Sequence, residues 1–451
     1  MNTLNCDLLV IGAGMAGLSA AARASELGAS VVVIEKAPDI GGSAMYSGGY
    51  VWTVPTLKIL QGVDNGNPAL GKVMVDGFRP AMAWLRQRNV MMSRPVPVFY
   101  GRGYSIDIQG HLRHCASTVS ASGGHVVTKT TVTGLIQDSR GAVIGAHASH
   151  QDGDVEIRAP WTLLATGGLQ GDAELRERFI GPSARDLIVR ANSYSRGDGL
   201  RLAEAAGAGH SVNNRGFYGH LMAAGVMLTI DNYPRYSQIH SEQSLLFNTA
   251  GLRFTDEGLG DYANAQAAAL QPGKRALLLW DDFVQRENVM RPYIEGKTPL
   301  DKLQAALDGG GSGGRFHSAD DLARFAQTQG FDGRALINTF SNFNELASAA
   351  PEALAPLRTG AIRPLAEPPY YALITVPAIT FAHAGIKAND QAQVLRPDNS
   401  AIPGLLVAGV DVGDVYDGGY AGGLSLALAF ALRAVETAGW LAPLMHEAAG
   451  A

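Results

Sequence analysis

The chain has 451 residues, and its 36 Lys+Arg against 41 Asp+Glu give a formal charge of −5. Apolar residues make up 46% and charged residues 17%, which excludes global disorder and leaves no electrostatic footprint for nucleic acid or anionic lipid. Glycine is in excess, 55 of 451 or about 12% where about 7% is usual, and two cysteines, Cys6 and Cys115, exclude a disulfide framework and a Cys-rich metal site.

Residues 5–11 (NCDLLVI) and 30–35 (SVVVIE) are short β-branched runs, separated by small and apolar residues at helical spacing. This predicts a strand–turn–helix–strand unit. Asp7 interrupts the first run and no basic segment precedes it, so it does not read as a secretory signal. Alternation at 125–136 predicts strand, WTLLATGG (161–168) a buried strand ending in a glycine turn, and 198–207 a helix closing on glycine. Between about 211 and 369 aromatic and polar residues rise; GGGSGG (309–314) reads as a flexible connector, and 318–330 and 333–348 as amphipathic helices. Strand texture returns at YYALITVPAITF, QAQVLRP and GLLVAGV (404–410), followed by a glycine turn and a long apolar helix. Its most apolar stretch, 424–432, is too short for a membrane span. The fold class is α/β: a doubly wound parallel sheet of Rossmann type over 1–210 and 370–451, with an inserted α+β capping or substrate domain over 211–369.

Gly12-Ala13-Gly14-Met15-Ala16-Gly17 follows the first strand and opens a helix, the context that a dinucleotide fingerprint requires. Gly12 permits the tight turn, Gly14 lets the backbone approach a pyrophosphate, and Gly17 lets helix and strand pack closely. The helix N-terminus turns unpaired N–H groups toward the diphosphate. Glu35, 18 residues after Gly17, is placed to accept hydrogen bonds from ribose hydroxyls.

Pro38-Asp39-Ile40-Gly41-Gly42-Ser43-Ala44 and Ser47-Gly48-Gly49 come next. Here the chain resembles flavoproteins that hold FAD in a Rossmann-like domain, and more narrowly the succinate dehydrogenase/fumarate reductase flavoprotein superfamily, which also contains urocanate reductase and 3-ketosteroid Δ1-dehydrogenase. The resemblance continues in order through Ala165-Thr166-Gly167-Gly168, Gly197-Asp198-Gly199, NTAGLRFTDE (248–257), GLLVAG (404–409) and Tyr420–Leu424. It implies an FAD site formed by Gly12, Gly14, Ala16, Gly17, Glu35, Lys36, Gly42, Ser43, Ser47, Gly48, Gly49, Val132, Ala165, Thr166, Gly167, Asp198, Asp411, Leu424, Ser425 and Leu426. Ala44 stands where covalent members carry a flavin-linking histidine, so the FAD is expected to be non-covalent. No second GxGxxG follows a strand, which disfavours a stably bound nicotinamide.

The resemblance also marks departures. Dicarboxylate enzymes of the superfamily need a cationic pocket, because an unpaired buried carboxylate costs several kcal/mol. Their carboxylate-clamping arginine corresponds to Tyr420, a site histidine to Phe381, and their proton-donating arginine falls near Asp261 or Tyr262. What remains resembles the ketosteroid dehydrogenase site, in which a tyrosine hydroxyl and the backbone N–H four residues on polarise a ketone. Tyr420 and the Leu424 N–H match those positions. A polarised ketone acidifies its α-hydrogen, a base removes it, and the β-hydrogen leaves as hydride to flavin N5. Candidate catalytic residues are Tyr420, Tyr262, Tyr104, Tyr100 and His240; Leu424, Tyr416, Phe381, His383 and Tyr236 are candidate substrate contacts. No metal site is expected.

Other features read as structural: Trp52, Trp84, Trp161, Trp280 and Trp440 as core anchors, Arg113-His114-Cys115 as a non-catalytic stretch, and Asp281-Asp282 as a solvated turn. The sequence thus predicts a cytoplasmic FAD-dependent dehydrogenase that acts on a CH–CH group beside the carbonyl of a hydrophobic or cyclic ketone, a 3-ketosteroid or an oxo-alicyclic acid. Arg102, Arg215 and Arg235 are each able to bind one carboxylate. Partners are a small-molecule substrate and an external electron acceptor (a quinone, a dye or oxygen), with no nucleic acid and no membrane span. The rivals are a fumarate-reductase-like ene-reductase acting on an unsaturated acid or enone, and a non-enzymatic flavin-binding module.

Overall fold

The β-branched run LLVI forms the strand Leu8–Ile11, buried throughout, in a computed structural model that describes residues 2–440 except 230, 293, 295 and 296. It lies near the middle of a six-stranded sheet with the order Gln393–Leu395, Ala401–Val407, Trp161–Leu164, Leu8–Ile11, Val31–Ile34, His125–Val127. All neighbours are parallel except the first pair, and Leu8 aligns with Val31 on one side and Trp161 on the other. Strands buried on both faces explain the continuous apolar runs, where alternation would mark a one-sided sheet. A separate four-stranded sheet runs Asn2–Asn5, Gly153–Arg158, Val143–His150, Thr131–Gln137. The alternating stretch at 125–136 is therefore two strands, divided between the two sheets.

The chain resolves into two compact units, one of residues 1–181, 191–216 and 381–451, the other of 182–190 and 217–380. The second unit is built on the long strand Tyr370–Ala382, which pairs antiparallel with Ala276–Trp280 and with Gly313–Phe316. That last strand corrects the reading of GGGSGG. Gly309 closes the helix Lys302–Asp308, and Gly313 aligns with Leu373 so closely that a Cβ there would lie 2.6 Å from the Ala372 carbonyl. The glycines serve a close backbone approach in place of a flexible linker. The two predicted amphipathic helices are present as Ala319–Thr328 and Gly333–Ala349.

Asp281 is a second correction. Its carboxylate is wholly buried, caps the turn at Val284 N–H, and pairs with Arg363 at 2.5 Å. A buried ion pair with added N–H donors replaces the solvated turn. Cys115 is buried and burial pushes its thiol up to about 12; the imidazole beside it is that of His111, one helical turn away, whereas His114 is exposed. Trp161 and Trp440 are only half-buried, unlike Trp52, Trp84 and Trp280. Among the described residues no helix is long and apolar enough to cross a membrane.

The NTAGLRFTDE segment folds onto a buried ion cluster. Glu257, fully buried, accepts from Arg253 at 2.5 Å and from Arg358 at 3.2 Å, and also takes the Leu246 N–H. Removing one member strands the others' charge in low dielectric, which costs about 3–5 kcal/mol. Glu257→Ala is accordingly expected to lower the urea midpoint of the second unit by that equivalent, read by tryptophan fluorescence through Trp280.

Candidate functional site

In the first unit, the turn after Leu8–Ile11 is set by steric exclusion. Gly12 has φ +109°, and a Cβ there would stand 2.2 Å from the Ala165 carbonyl; at Gly17 it would stand 1.9 Å from the Gly12 carbonyl. At Gly14 the nearest atom is the Gly41 carbonyl at 3.9 Å. The first and third glycines are thus required by the protein itself, and the second borders open space that a bound group can enter. Gly42 packs against this loop, where a Cβ on it would lie 3.3 Å from Gly14 Cα, and a Cβ on Gly409 would lie 3.1 Å from that of Ala16. Ser43 Oγ accepts from Asn192 N–H, and Ser47 Oγ from Gly49 N–H.

Glu35 ends its strand nearly buried, its two oxygens accepting from Ala13 N–H and Ala37 N–H at 2.8 Å each. The carboxylate keeps further lone pairs for a ribose. Its carbonyl accepts from Thr130 N–H, which brings the segment entering Val132 alongside. Lys36 and Asp198 form an ion pair with each other.

Asp411 is buried and ties the strand-end loop: it accepts from Thr166 N–H and Oγ1 and from Gly168 N–H at 2.7 Å. Thr166 Oγ1 in turn accepts from Gly199 N–H at 3.0 Å, at the start of the helix Asp198–Ala205. Burial raises the Asp411 carboxyl and these hydrogen bonds oppose the shift. Asp411 thus positions Ala165–Gly168 through bonds to the backbone.

The sequence Gly422-Gly423 opens the final helix, Gly423–Thr437, and Ser425 donates to the Trp52 carbonyl. Tyr420 curls back so that its hydroxyl oxygen accepts from Gly423 N–H at 2.9 Å. Its ring packs against Trp52 at 5.7 Å, Tyr416 at 5.6 Å and Phe381 at 6.1 Å between centroids. Tyr100 donates to the Tyr420 carbonyl. Tyr416 is buried with its hydroxyl toward Met74 and the Gly422 carbonyl, and burial raises its phenol well above the ordinary value. His383 lies 5.7 Å from Tyr416; its Nδ1 accepts from Gly418 N–H at 3.4 Å, while buried Nε2 has no hydrogen-bond partner among the described residues. Burial holds this imidazole down at about 3, so it is neutral with the proton on Nε2. Trp52, read from sequence as a plain core anchor, belongs to this cluster.

Tyr104 lies apart from these rings, stacked on Phe78 beneath Arg86. In the second unit, His240 is buried edge-on to Trp280 at 4.8 Å, and burial holds it down at about 3. Tyr236 is buried beside Gly309, and half-buried Tyr262 sits in the first turn of the helix Asp261–Ala269. Arg235 is 3.8 Å from Asp308, whereas Arg102 and Arg215 are exposed. Among the described residues no cluster fit to hold a metal ion occurs. Sequence reasoning missed Tyr218 and His220, which share one face of the strand Phe217–Ala223, with Asp261 hydrogen-bonded to His220. The Tyr-x-His spacing within an apolar run was the available signal.

The family model described as "FAD binding domain" matches residues 7–425. A fumarate reductase (cytochrome) of Shewanella frigidimarina is 28% identical over 92% of this chain and 74% of its own length. A urocanate reductase of Eggerthella lenta is 26% identical over 91% of this chain and 70% of its own length. The crystal structure of a 3-ketosteroid Δ1-dehydrogenase from Sterolibacterium denitrificans superposes with a TM-score of 0.74 over 97% of this chain and 99% of that one, at 18% identity, a likeness of fold. The chain belongs to the FAD binding domain family, within the succinate dehydrogenase/fumarate reductase flavoprotein superfamily, and FAD is its cofactor.

Two outcomes follow from this geometry. Gly14→Val is expected to fold like the apoprotein yet emerge from desalting without flavin absorbance, because its side chain enters only the cofactor's space; Gly12→Val, colliding with Ala165, should lose the fold as well, as circular dichroism will report. The neutral buried histidines His111, His240 and His383 are each held at about 3, below the usual 6.5. The unfolded chain therefore binds more protons, so their contribution is intact above about pH 6.5 and lost as the pH falls toward 3, at about 1.4 kcal/mol per pH unit each. Denaturant titrations at pH 7, 6 and 5 should show this decline, and His111→Gln should make it shallower by about one histidine's share.

Proposed function

We propose that this flavoprotein is a dehydrogenase that introduces a C=C bond next to the carbonyl of a hydrophobic or cyclic ketone, with Tyr420 as the oxyanion donor. Membership of the family makes it an FAD-dependent oxidoreductase acting on carbon–carbon bonds; the ketone is the proposal. The observation that carries it is the Tyr420 hydroxyl, which accepts from Gly423 N–H at the head of the final helix. A phenol that accepts a hydrogen bond is polarised into a better donor. The first-turn N–H groups of a helix have no intrahelical partners, so the Leu424 N–H is available beside it. Two neutral donors on a carbonyl oxygen stabilise the charge that develops as the α-hydrogen acidifies, without burying an ion. The aromatic walls from Trp52, Phe381 and Tyr416 suit an apolar ring in place of a dicarboxylate. His383, neutral and buried, adds an Nε2–H donor in the same cluster. Gly12, Gly14, Gly17, Glu35, Gly42, Ser43 and Ala165–Gly167 would hold the cofactor, and Tyr100 fixes the Tyr420 backbone. Bound FAD supplies the two-electron acceptor for the β-hydrogen.

A second reading, an ene-reductase acting on an unsaturated acid or enone, is favoured by the names of the relatives from Shewanella and Eggerthella. Anaerobic mixing separates the two. Cyclohexanone, an oxocyclohexane carboxylate or a saturated 3-ketosteroid should bleach the oxidised flavin, whereas succinate should not. If none of these ketones bleaches it and fumarate reoxidises the reduced protein, the second reading stands. Tyr420→Phe should keep its FAD and reduce the rate of bleaching about 10²–10³-fold.

A further inference from the structure

The loop that carries Tyr420 is fastened from near the other end of the chain. After Tyr416 the backbone runs through Asp417-Gly418-Gly419, and the three successive N–H groups of this segment are all bound by side chains. Asp64 Oδ1 accepts from Asp417 N–H at 2.7 Å and from Gly419 N–H at 2.8 Å, and His383 Nδ1 accepts from Gly418 N–H at 3.4 Å. Asp64 Oδ2 takes the Gly66 N–H at 2.9 Å. Asp64, His383 and residues 414–423 all belong to the first unit.

Asp64 follows the helix Leu57–Val63 and opens the turn Asp64-Asn65-Gly66-Asn67. This turn lies along the loop, backbone against backbone: Asn65 N–H donates to the Asp417 carbonyl at 3.2 Å, and Asn67 N–H to the Asp414 carbonyl at 2.8 Å. The approach leaves no room for side chains. A Cβ on Gly419 would lie 2.3 Å from the Val63 carbonyl oxygen, and one on Gly66 would lie 2.2 Å from that of Val415. Gly418 and Gly419 stand directly before Tyr420, and glycines lose more backbone freedom on ordering than any other residue. Without ties of its own the segment would be the loosest part of the turn. Gly418 has φ +89°, and successive N–H groups around such a residue form a concavity that suits an anion. The anion here is the chain's own carboxylate. Asp64 is buried, which raises its carboxyl, and the N–H donors oppose the shift.

We infer that Asp64 is a positioning residue for Tyr420: by binding the Asp417 and Gly419 N–H groups it sets the direction in which the phenol meets a substrate carbonyl, an inference that rests on the ketone chemistry proposed above. Its effect reaches the phenol through one peptide, since Gly419 is bonded to Asp64 and Tyr420 comes next. From the other side, Tyr100 donates to the Tyr420 carbonyl and Gly423 N–H donates to the Tyr420 hydroxyl. The residue is thus held at the amide before it, at its own carbonyl and at its phenol oxygen. Those points fix both where the O–H sits and where it is aimed. An oxyanion donor is effective when it is aimed before the charge develops, and a displacement of about 1 Å can cost on the order of 10²-fold in rate. His383 shares the cradle, and its acceptance from Gly418 N–H leaves the ring proton on Nε2. Asp64 thereby does for the Tyr420 turn what Asp411 does for residues 166–168. Each is a buried carboxylate bonded to the backbone N–H groups of a glycine-containing loop.

The test uses the FAD-loaded protein and cyclohexenone with an isotopically labelled carbonyl carbon, observed by carbon NMR. In the wild type the bound carbonyl resonance is expected downfield of its position in water. Asp64→Ala should lose at least half of that displacement while keeping its FAD and binding the enone within about threefold of the wild type. Asp64→Asn, whose amide oxygen can accept from the same two N–H groups, should restore most of it. Anaerobic bleaching by cyclohexanone should follow the same order, with the limiting rate of Asp64→Ala slowed about 10-fold or more and its half-saturating ketone concentration little changed. Hydrogen exchange in the wild type needs no variant: the amides of residues 417–419 should be protected about 10-fold or more relative to an unstructured chain. Unprotected amides there would overturn the inference, even if Asp64→Ala failed to fold. So would an Asp64→Ala protein with an undiminished carbonyl displacement and wild-type bleaching. A wild-type carbonyl that is not displaced, with no bleaching by the ketone, defeats the ketone reading and the role of Asp64 with it; that result is distinct from a displaced carbonyl indifferent to Asp64.

Discussion

A hydrogen bond from Gly423 N–H to the Tyr420 hydroxyl joins the start of the final helix to the ring cluster on which the proposed chemistry depends. On the proposed reading it holds a neutral phenol at the position where the sequence resemblance puts a guanidinium in dicarboxylate enzymes of the superfamily. The two groups ask different things of a substrate. A buried arginine has to be matched by an anion, since an unpaired buried charge costs several kcal/mol. A buried phenol needs only an acceptor such as a carbonyl oxygen. Tyr100 and Trp52 secure the same turn from the other side, through the Tyr420 carbonyl and the Ser425 hydroxyl.

The rest of the first unit brings the cofactor loops to where this turn can be used. Asp411 spends its carboxylate on the backbone of residues 166–168, and through Thr166 on the helix that begins at Asp198. Gly12 and Gly17 let strand, loop and helix approach within distances no side chain would allow. These are preorganising contacts. They fix donors in advance, so that charge developing in a reaction meets dipoles that need not reorient.

Much of this was legible because each signal was local. The strand–glycine–helix unit, the Gly41-Gly42 loop and the final apolar helix are contiguous, and their periodicity or spacing identifies them. Long-range partners were not legible. Asp281 reads as a solvated turn until Arg363, 82 residues away, is brought against it. GGGSGG reads as a linker until Gly313 meets Leu373. Tyr218 and His220 sit in an apolar strand run, and Asp261, 41 residues from His220, gives the pair its meaning only once the helix that carries it is folded behind them. Tyr104 has a motif-like setting in FYGRGY, yet its ring is taken up by Phe78 and Arg86.

The claim that a phenol polarises a carbonyl is tested most directly by the infrared spectrum of an enone carrying a labelled carbonyl, bound to the oxidised protein. The account predicts that the C=O stretch moves to lower frequency than in water, and that Tyr420→Phe abolishes the shift while the enone still binds. A carbonyl frequency unmoved on binding, or equally lowered in Tyr420→Phe, would contradict it.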